Sequence, residues 1–174
     1  MTDLGLDLLE HFTLLDIRKK YRNSLLRDGA HCPVCDRWGK VYKRRLNKTM
    51  VKCLEWVVNV TTAEDVKYID IPARGRLGEG DIYDFTKQYS TLKHWGFLQR
   101  PDGEEPRSGI WGPTPSGIRF LRGLEQAPEW IATYNDIAVE WAEDLVSVSD
   151  IVEGFSYDQI MTDALGFRQG CLDL

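Results

Sequence analysis

The sequence predicts a mixed α+β fold in which helices and short strands follow one another along the chain. Two patterns indicate it. Apolar residues recur at the helical period in several segments, and short β-branched or aromatic runs bounded by glycine or proline lie between them. With 174 residues, the chain is long enough to bury a core without disulfide bonds.

The composition indicates a protein of a reducing compartment. The four cysteines include one C-P-x-C pair, which fits an intracellular protein better than a disulfide scaffold. The sequence has no run of 18 apolar residues that would cross a membrane, and its acidic start differs from a signal peptide. We therefore expect a cytoplasmic protein without a membrane partner.

Charge is strongly segregated along the chain, although the net charge is only −5. Residues 18–52 contain twelve Lys or Arg against two Asp, and residues 124–174 contain eleven acidic side chains against one Arg. This pattern predicts a basic surface for an anionic partner and an acidic extension. The alternative is that the two regions neutralise each other within one fold.

The first predicted region, residues 1–45, is a basic helix followed by a cysteine turn. Thr13 and Asp16 form a capping-box pattern for a helix over residues 13–28, and Gly29 is placed to end it. The segment HCPVC predicts a tight turn before a strand that begins at Lys40. The expected apolar stripe of the helix is Leu14, Ile17, Tyr21 and Leu25.

The second predicted region, residues 46–123, begins with a helix capped by Asn47. Residues 68–72 predict a short strand closed by proline, and residues 73–80 predict a loop or a poor helix. A better helix begins at Asp81, and Gly96 lies where a left-handed C-cap residue belongs. The expected buried face of the Asn47 helix is Met50, Cys53, Leu54, Val57 and Val60.

The same region ends in a predicted hairpin and one more helix. Strands at 97–100 and 110–113 flank a loop rich in proline, glycine and charge, and Thr114 caps the closing helix. The third region, residues 124–174, is an acidic extension. It is expected to hold strands at 130–134 and 138–141 and two short helices.

From residue 47 onward, the order is helix, strand, loop, helix, strand, loop, strand, helix. With the segment Trp95-Gly96-Phe97-Leu98, the aromatic Trp111 and the motif T-P-x-G-x-x-F-L, residues 46–123 resemble winged-helix (helix-turn-helix) proteins. The resemblance implies a recognition helix from about Asp81 to Trp95 and a wing over residues 100–109. The expected core of this module is Ile82, Phe85, Tyr89, Leu92, Phe97, Leu98, Trp111 and Phe120.

A looser resemblance concerns the whole layout. The CPVC turn followed by GKVYKRRLN, the KHWGF segment and the SYDQIM helix make the chain similar to uncharacterised small proteins of tailed phages and prophages. This similarity implies a phage source and no particular activity.

The winged-helix resemblance implies a DNA-binding regulator whose recognition helix contacts DNA through the face opposite its apolar stripe. Lys and Arg can neutralise phosphates, while Ser and Thr can reach base edges or phosphates. Asp84 and the acidic wing oppose close phosphate approach, so strong binding would need the basic segment. The expected DNA-contacting residues are Lys43, Arg44, Arg45, Lys48, Arg74, Arg76, Lys87, Ser90, Thr91, His94 and Arg107. The alternative hypothesis is a module that docks onto host machinery through the winged-helix scaffold without binding DNA.

Cys32 and Cys35 have the spacing of a zinc knuckle, in which a turn directs two thiolates to one ion. A tetrahedral site needs four ligands, and a second C-x-x-C pair is missing. Either zinc binds with two further ligands, or the turn is metal-free. For Cys53, a buried core thiol is the more ordinary interpretation. The residues available to complete a site are His31, Cys53, His11, His94 and Cys171.

The sequence has none of the common catalytic motifs. It has no G-x-S-x-G elbow, no P-loop and no G-x-G-x-x-G fingerprint, and its three histidines are widely separated. We therefore expect a protein that is not an enzyme and that has no small-molecule substrate.

Overall fold

The computed structural model describes residues 13–77, 86–102, 109–159 and 162. It has a mixed α+β architecture with small antiparallel sheets, as predicted. The chain divides into two compact units. The amino-terminal unit comprises Met1–Arg44 and Ala132–Glu140, and the core unit comprises Arg45–Ile131 and Trp141–Leu174.

The amino-terminal unit begins with helix α1, Leu14–Arg27. The predicted capping box is confirmed: the Asp16 amide donates to Thr13 Oγ1 at 3.2 Å, and the Thr13 amide donates to Asp16 Oδ2 at 3.1 Å. Gly29 follows with φ +86, a left-handed conformation that ends the helix. The predicted apolar stripe is partly wrong. Within the described range of α1 no side chain is buried, and Leu14 at the start of the helix is 86% exposed.

Strands β1, Ala30–His31, and β2, Trp38–Gly39, form an antiparallel hairpin with His31 opposite Trp38. The tight turn was predicted, but the two strands that flank it were not. Strand β3, Tyr42–Arg45, begins two residues later than predicted, because Val41 first donates its amide to Leu25 O at 2.9 Å.

Three strands form a second sheet in the order β3–β8–β9. The predicted strand pair is confirmed as β8, Trp130–Tyr134, and β9, Ile137–Trp141. The two residues between them, Asn135 and Asp136, have φ values of +48 and +62. Two consecutive left-handed residues are typical of a type I′ hairpin turn, and Asn and Asp tolerate this conformation well.

Helix α2, Lys48–Ala63, is the central helix of the core unit. The Asn47 side chain accepts from the Met50 amide at 3.1 Å, so the predicted cap is confirmed. Its predicted apolar face is buried except at Val60, which is half-buried.

The segment after α2 departs from the prediction at its proline. Strand β4 is only Ile69–Asp70, and Pro72 lies in helix α3, Ile71–Leu77, instead of closing a strand. The reason is local. Asp70 Oδ1 accepts from the Ala73 amide at 3.0 Å, and proline is well tolerated in the first helical turn, where its missing N–H costs nothing.

The rest of the core unit keeps the predicted order where it is described, but the prediction of one continuous helix up to Trp95 is wrong, because residues 87–88 form a turn and only Tyr89–Leu92 are α-helical before a 3₁₀ turn. Of the predicted recognition helix, only residues from 86 onward are described, and Ile82 and Phe85 lie outside the described residues. Gly96 has φ +70, which confirms the predicted C-cap. Helix α4 is Tyr89–Leu92, and a 3₁₀ turn over Lys93–Trp95 follows it. Strand β5 is Leu98–Gln99 and strand β6 is Ile110–Pro113. Helix α5 is Pro115–Leu121.

Strands β4, β6 and β5 form a three-stranded antiparallel sheet in that order. The predicted core is confirmed for its described members, because five of them are buried and Tyr89 is half-buried. Phe97 stacks on Phe120 with ring centroids 4.6 Å apart, and Tyr89 contacts Trp111 edge-on at 5.9 Å. The five buried members are Leu92, Phe97, Leu98, Trp111 and Phe120.

The acidic extension contributes to this core. Strands β7, Ala127–Pro128, and β10, Leu145–Val146, pair antiparallel, and a capping box of Ser147 and Asp150 begins helix α6, Val148–Ile151. The buried cluster that contains the α2 face also includes Ala127, Ile131 and Val148.

Candidate nucleic-acid interface and cysteine hairpin

Strand β3 presents an exposed basic surface. Its four residues, Tyr-Lys-Arg-Arg, are all exposed, and Lys48 is exposed at the first position of α2. Arg45 lies 3.4 Å from Glu129 and keeps 72% of its side chain exposed. Ion pairs of this kind are weak in solvent, so they do not prevent a guanidinium from meeting a phosphate.

The two arginines of α3 differ in their surroundings. Arg74 donates two hydrogen bonds to the Glu64 carboxylate, one of them Nη2 to Oε2 at 2.7 Å. This bidentate pair links α3 to the end of α2, so a structural role competes with any contact of Arg74 to DNA. Arg76 is exposed, and Arg107 lies outside the described residues.

The predicted reading residues of the recognition helix fall in one short segment. Lys87 and Ser90 are exposed, whereas Thr91 and His94 are half-buried. Leu92, on the other side of α4, is completely buried. Within α4, Ser90 is exposed, Thr91 is half-buried and Leu92 is buried, whereas Lys87 and His94 lie outside this helix, so the predicted helix phase stays a prediction for those two residues.

The structure assigns the predicted DNA-contacting residues to both units. Lys43 and Arg44 belong to the amino-terminal unit, and the other described candidates, from Arg45 onward, belong to the core unit. Sequence reasoning missed two exposed aromatic side chains beside the cations, Trp38 and Tyr42, each about half exposed. Aromatic residues within a basic run are the signal that would have found them, because bases stack on such rings.

The cysteine hairpin is the tip between β1 and β2. The Cys32 amide donates to Arg37 O at 2.9 Å, and the Asp36 amide donates to Cys32 O at 2.8 Å. Asp36 has φ +55, so the chain reverses there through a left-handed residue. The backbone amides of Cys35 and Val34, and the Cys35 side chain, lower the pKa of Cys32 from its ordinary value, while burial and the Asp36 charge oppose the shift.

His31 is held beside this tip by the residues that flank it. Its Nδ1 lies 2.7 Å from Asp36 O, and its ring contacts Trp38 edge-on at 5.2 Å. Because a carbonyl oxygen only accepts, Nδ1 donates the proton of this hydrogen bond. Histidines that bind metals are commonly fixed in this way through the other ring nitrogen.

Among the described residues, no other candidate ligand joins Cys32 and Cys35 in a metal-binding group. Cys53 is 0% exposed within the core cluster, and burial raises the pKa of its thiol to about 12. It is a core thiol, as the more ordinary interpretation held. His11 and Cys171 lie outside the described residues. In the described part of the chain, no group of three or more His, Cys, Asp or Glu residues is arranged to hold a metal ion.

The fold and these sites define a mixed α+β protein with a basic strand and a two-cysteine hairpin tip. Family models, curated proteins and solved structures include no match to this chain. Across the described residues, no helix has both the length and the apolar character to cross a membrane.

Proposed function

We propose that the chain is a winged-helix DNA-binding regulator, encoded by a phage or prophage. The observation that carries the proposal is the sheet order β4–β6–β5. In a winged helix the strand after the first helix pairs with the last strand of the wing hairpin, which places it at the opposite edge from the first wing strand. Here β4 follows α2 and pairs with β6, with Ile69 opposite Trp111, while Leu98 of β5 lies opposite Pro113.

The packing of the segment before the hairpin supports the same proposal. Leu92 anchors α4 in the core, and Gly96 turns the chain directly into β5. A recognition helix must be fixed to its scaffold on one side and polar on the other, and Ser90 and Lys87 are exposed here. Their side chains suit phosphate and base-edge contacts.

Duplex affinity is expected to come mainly from the basic segment that ends at the first residue of α2. Phosphate neutralisation supplies most non-specific affinity, and Arg74, which belongs to the winged-helix region, is already paired with Glu64. Residues 13–44 contain nine Lys or Arg against three Asp. The proposed phosphate-contacting set is Lys43, Arg44, Arg45 and Lys48, all exposed.

The test is binding of the full chain to random duplex DNA at several salt concentrations. Replacing the phosphate-contacting set with alanine is expected to weaken binding and to reduce the slope of log K against log salt by about one unit per lost contact. The control removes four exposed cations of α1 instead: Arg18, Lys19, Arg22 and Arg27. Equal losses of DNA affinity in the two variants would mean that net charge alone determines binding. An unchanged salt slope in the first variant would contradict the proposal.

Sequence preference is a separate measurement. Lys87→Ala and Thr91→Ala are expected to reduce the preference for selected sequences over random duplex while leaving the melting temperature nearly unchanged. Selection from a random DNA library with the wild-type chain identifies the preferred sequence. If no sequence is enriched, the regulator proposal fails even if non-specific binding is strong.

Docking onto a host protein is the second candidate, favoured by strand β9. This strand is at the edge of its sheet, and Ile137 is 67% and Val139 is 50% exposed on the same face. An exposed apolar edge strand can pair with a strand of another protein. The docking proposal expects Val139→Lys to abolish capture of a specific host protein, in a chain that never bound DNA.

A further inference from the structure

Aromatic and cationic side chains are mixed along the segment that runs from the cysteine hairpin into β3. Residues 37–44 contain two aromatic residues, four Lys or Arg and no acidic residue. Trp38 and Tyr42 are each 51% exposed, and Lys40 lies between them in the sequence. The whole segment belongs to the amino-terminal unit. Exposed rings beside cations suit a partner that has both flat apolar surfaces and negative charge.

Both rings lie on the outer side of this segment. In an extended chain, successive side chains point to opposite sides, and a Cβ atom added at buried Gly39 would lie 2.9 Å from Leu25 Cδ2 of α1. Exposure alternates accordingly, since Gly39 is buried and Val41 half-buried while Trp38 and Tyr42 are exposed. Four residues of chain span at most about 14 Å between the two Cα atoms. One short strand of nucleic acid can therefore reach both rings.

The Trp38 ring is held on one side by its own hairpin. A Cβ atom added at Gly29 would lie 3.0 Å from Trp38 Cη2, so the indole occupies the space that the glycine leaves free. The His31 ring contacts the indole edge-on at 5.2 Å. About half of the Trp38 surface stays open to solvent. A ring that is already fixed in this way loses little side-chain freedom when a base stacks on it.

We propose that residues 37–44 form a site for single-stranded nucleic acid, in which bases stack on Trp38 and Tyr42 and the cations neutralise phosphates. A duplex keeps its base faces stacked within the helix, whereas a single strand offers them to aromatic side chains. The site shares Lys43 and Arg44 with the proposed duplex contacts. It does not rest on the proposed function, because the two aromatic rings take no part in that function.

The experiment is fluorescence anisotropy of end-labelled dT and U strands of about 12 nucleotides with the full chain, a length within the usual range of site sizes. The matched probe is an abasic strand of the same length and charge. The wild-type chain is expected to bind the dT or U strand at least about fivefold more tightly than the abasic strand, because only the former can stack. This comparison needs no variant. Tighter binding of one of the two strands identifies DNA or RNA as the partner.

The variants separate stacking from charge. Trp38→Ala and Tyr42→Ala are each expected to weaken binding of the preferred strand about 5- to 100-fold, the range for loss of one stacked base, and to leave binding of the abasic strand within about twofold. Tyr42→Phe restores the ring and is expected to rescue the affinity that Tyr42→Ala loses. Trp141→Ala is the control, since this side chain is 50% exposed outside the segment. Thermal melting verifies that each variant is folded.

Equal affinity of the wild-type chain for the abasic strand and for the dT and U strands would overturn the proposal, because charge alone would then explain binding. Equal losses in Trp38→Ala and Trp141→Ala would overturn it as well. The proposed function fails separately, through the absence of sequence preference in duplex DNA, and that result would leave the comparison of single strands intact.

Discussion

Leu92 is the residue whose burial best separates the scaffold from the proposed reading surface. It is 0% exposed, whereas Ser90, two residues earlier in the same helix, is exposed. Leu92→Ala is expected to lower the free energy of unfolding by about 2–5 kcal/mol, the range for removing a large buried aliphatic side chain. Denaturant titration of the variant against the wild type measures this difference.

Ser90→Ala is the matched control in the same helix. Its side chain is exposed, so its effect on stability is expected to stay within about 0.5 kcal/mol. If Leu92→Ala were harmless and Ser90→Ala unfolded the protein, the orientation of α4 would be wrong, and with it the assignment of a reading face.

Glu125 makes a pH-dependent contribution to the stability of the folded protein. Its carboxylate accepts from Ser116 Oγ at 2.5 Å and from Arg119 Nε at 2.8 Å. The Ser116 bond, assisted by Arg119, holds the pKa of Glu125 below its usual 4.5. A carboxyl group with a lowered folded-state pKa stabilises the protein at neutral pH, and this contribution is lost as the pH falls below 4.5 and through the folded-state pKa.

Glu125→Gln is therefore expected to be less stable than the wild type at pH 7, with a difference that shrinks on acidification. Thermal melting of both proteins between pH 7 and pH 3 measures it. Exposed Glu153→Gln removes the same charge and serves as the control. A difference in stability that is constant with pH would contradict the assigned role of the carboxylate.

At the scale of elements, Gly117 fixes how closely α5 approaches the backbone of Phe97, the residue before β5. A Cβ atom added at this position would lie 2.5 Å from Phe97 O, which already accepts from the Thr114 amide at 3.0 Å. In an unobstructed helix, Gly→Ala stabilises a protein by about 0.4–1 kcal/mol. Here the neighbouring atom is backbone, so Gly117→Ala is expected to destabilise by about 1–3 kcal/mol, as overpacking does.

Chemical denaturation of Gly117→Ala and Gly117→Ser shows whether these substitutions lower or raise the stability of the protein. The larger serine side chain is expected to cost at least as much as alanine. If Gly117→Ala raised the unfolding midpoint, helix propensity would outweigh the contact, and α5 would have room to move away from Phe97.

Local signals explain which elements were predictable. The caps at Thr13, Asn47 and Thr114 depend on a side chain and a backbone amide three residues away, so the sequence contains all the information they need. Whether Pro72 ends a strand or begins a helix depends on the hydrogen bond of the Asp70 side chain. This side chain can accept from the next helical turn, as it does here, or from a neighbouring strand, and the local sequence does not distinguish the two cases.

At the scale of the whole molecule, the two units are expected to differ in local stability. Helix α1 is fourteen residues long and, within its described range, has no buried side chain, whereas α2 is buried at seven positions. Isolated helices of that length are marginal in water. Backbone amides of α1 are therefore expected to exchange with solvent faster than those of α2, whose exchange requires global unfolding.

Hydrogen exchange followed by proteolysis and mass spectrometry measures this difference. Low concentrations of denaturant are expected to accelerate exchange in α2 and to leave that of α1 nearly unchanged, because little surface is exposed when α1 opens. Equal protection of the two helices would mean that α1 unfolds only with the core.

The candidate sites were less predictable than the fold. The basic run and the cysteine pair are visible as residue types, but their surroundings depend on residues far away in the sequence. Glu64 engages Arg74 ten residues later, and Glu129 lies beside Arg45. No spacing rule identifies these pairs, so sequence reasoning treated both arginines as equally available for DNA.

Cys53 and Cys35 differ in exposure, so the rate at which each thiol is chemically modified can report opening of the core in the native protein. A thiol-specific reagent added to reduced protein modifies Cys35 at once, because it is exposed, whereas Cys53 reacts only when the core around it opens. In a background in which Cys32, Cys35 and Cys171 are all replaced by serine, Cys53 is the remaining cysteine of the four, and its slow modification rate reports how often the α2 core opens under native conditions. DNA that binds only the folded chain would slow this rate, so ligand binding becomes measurable without any label on the DNA.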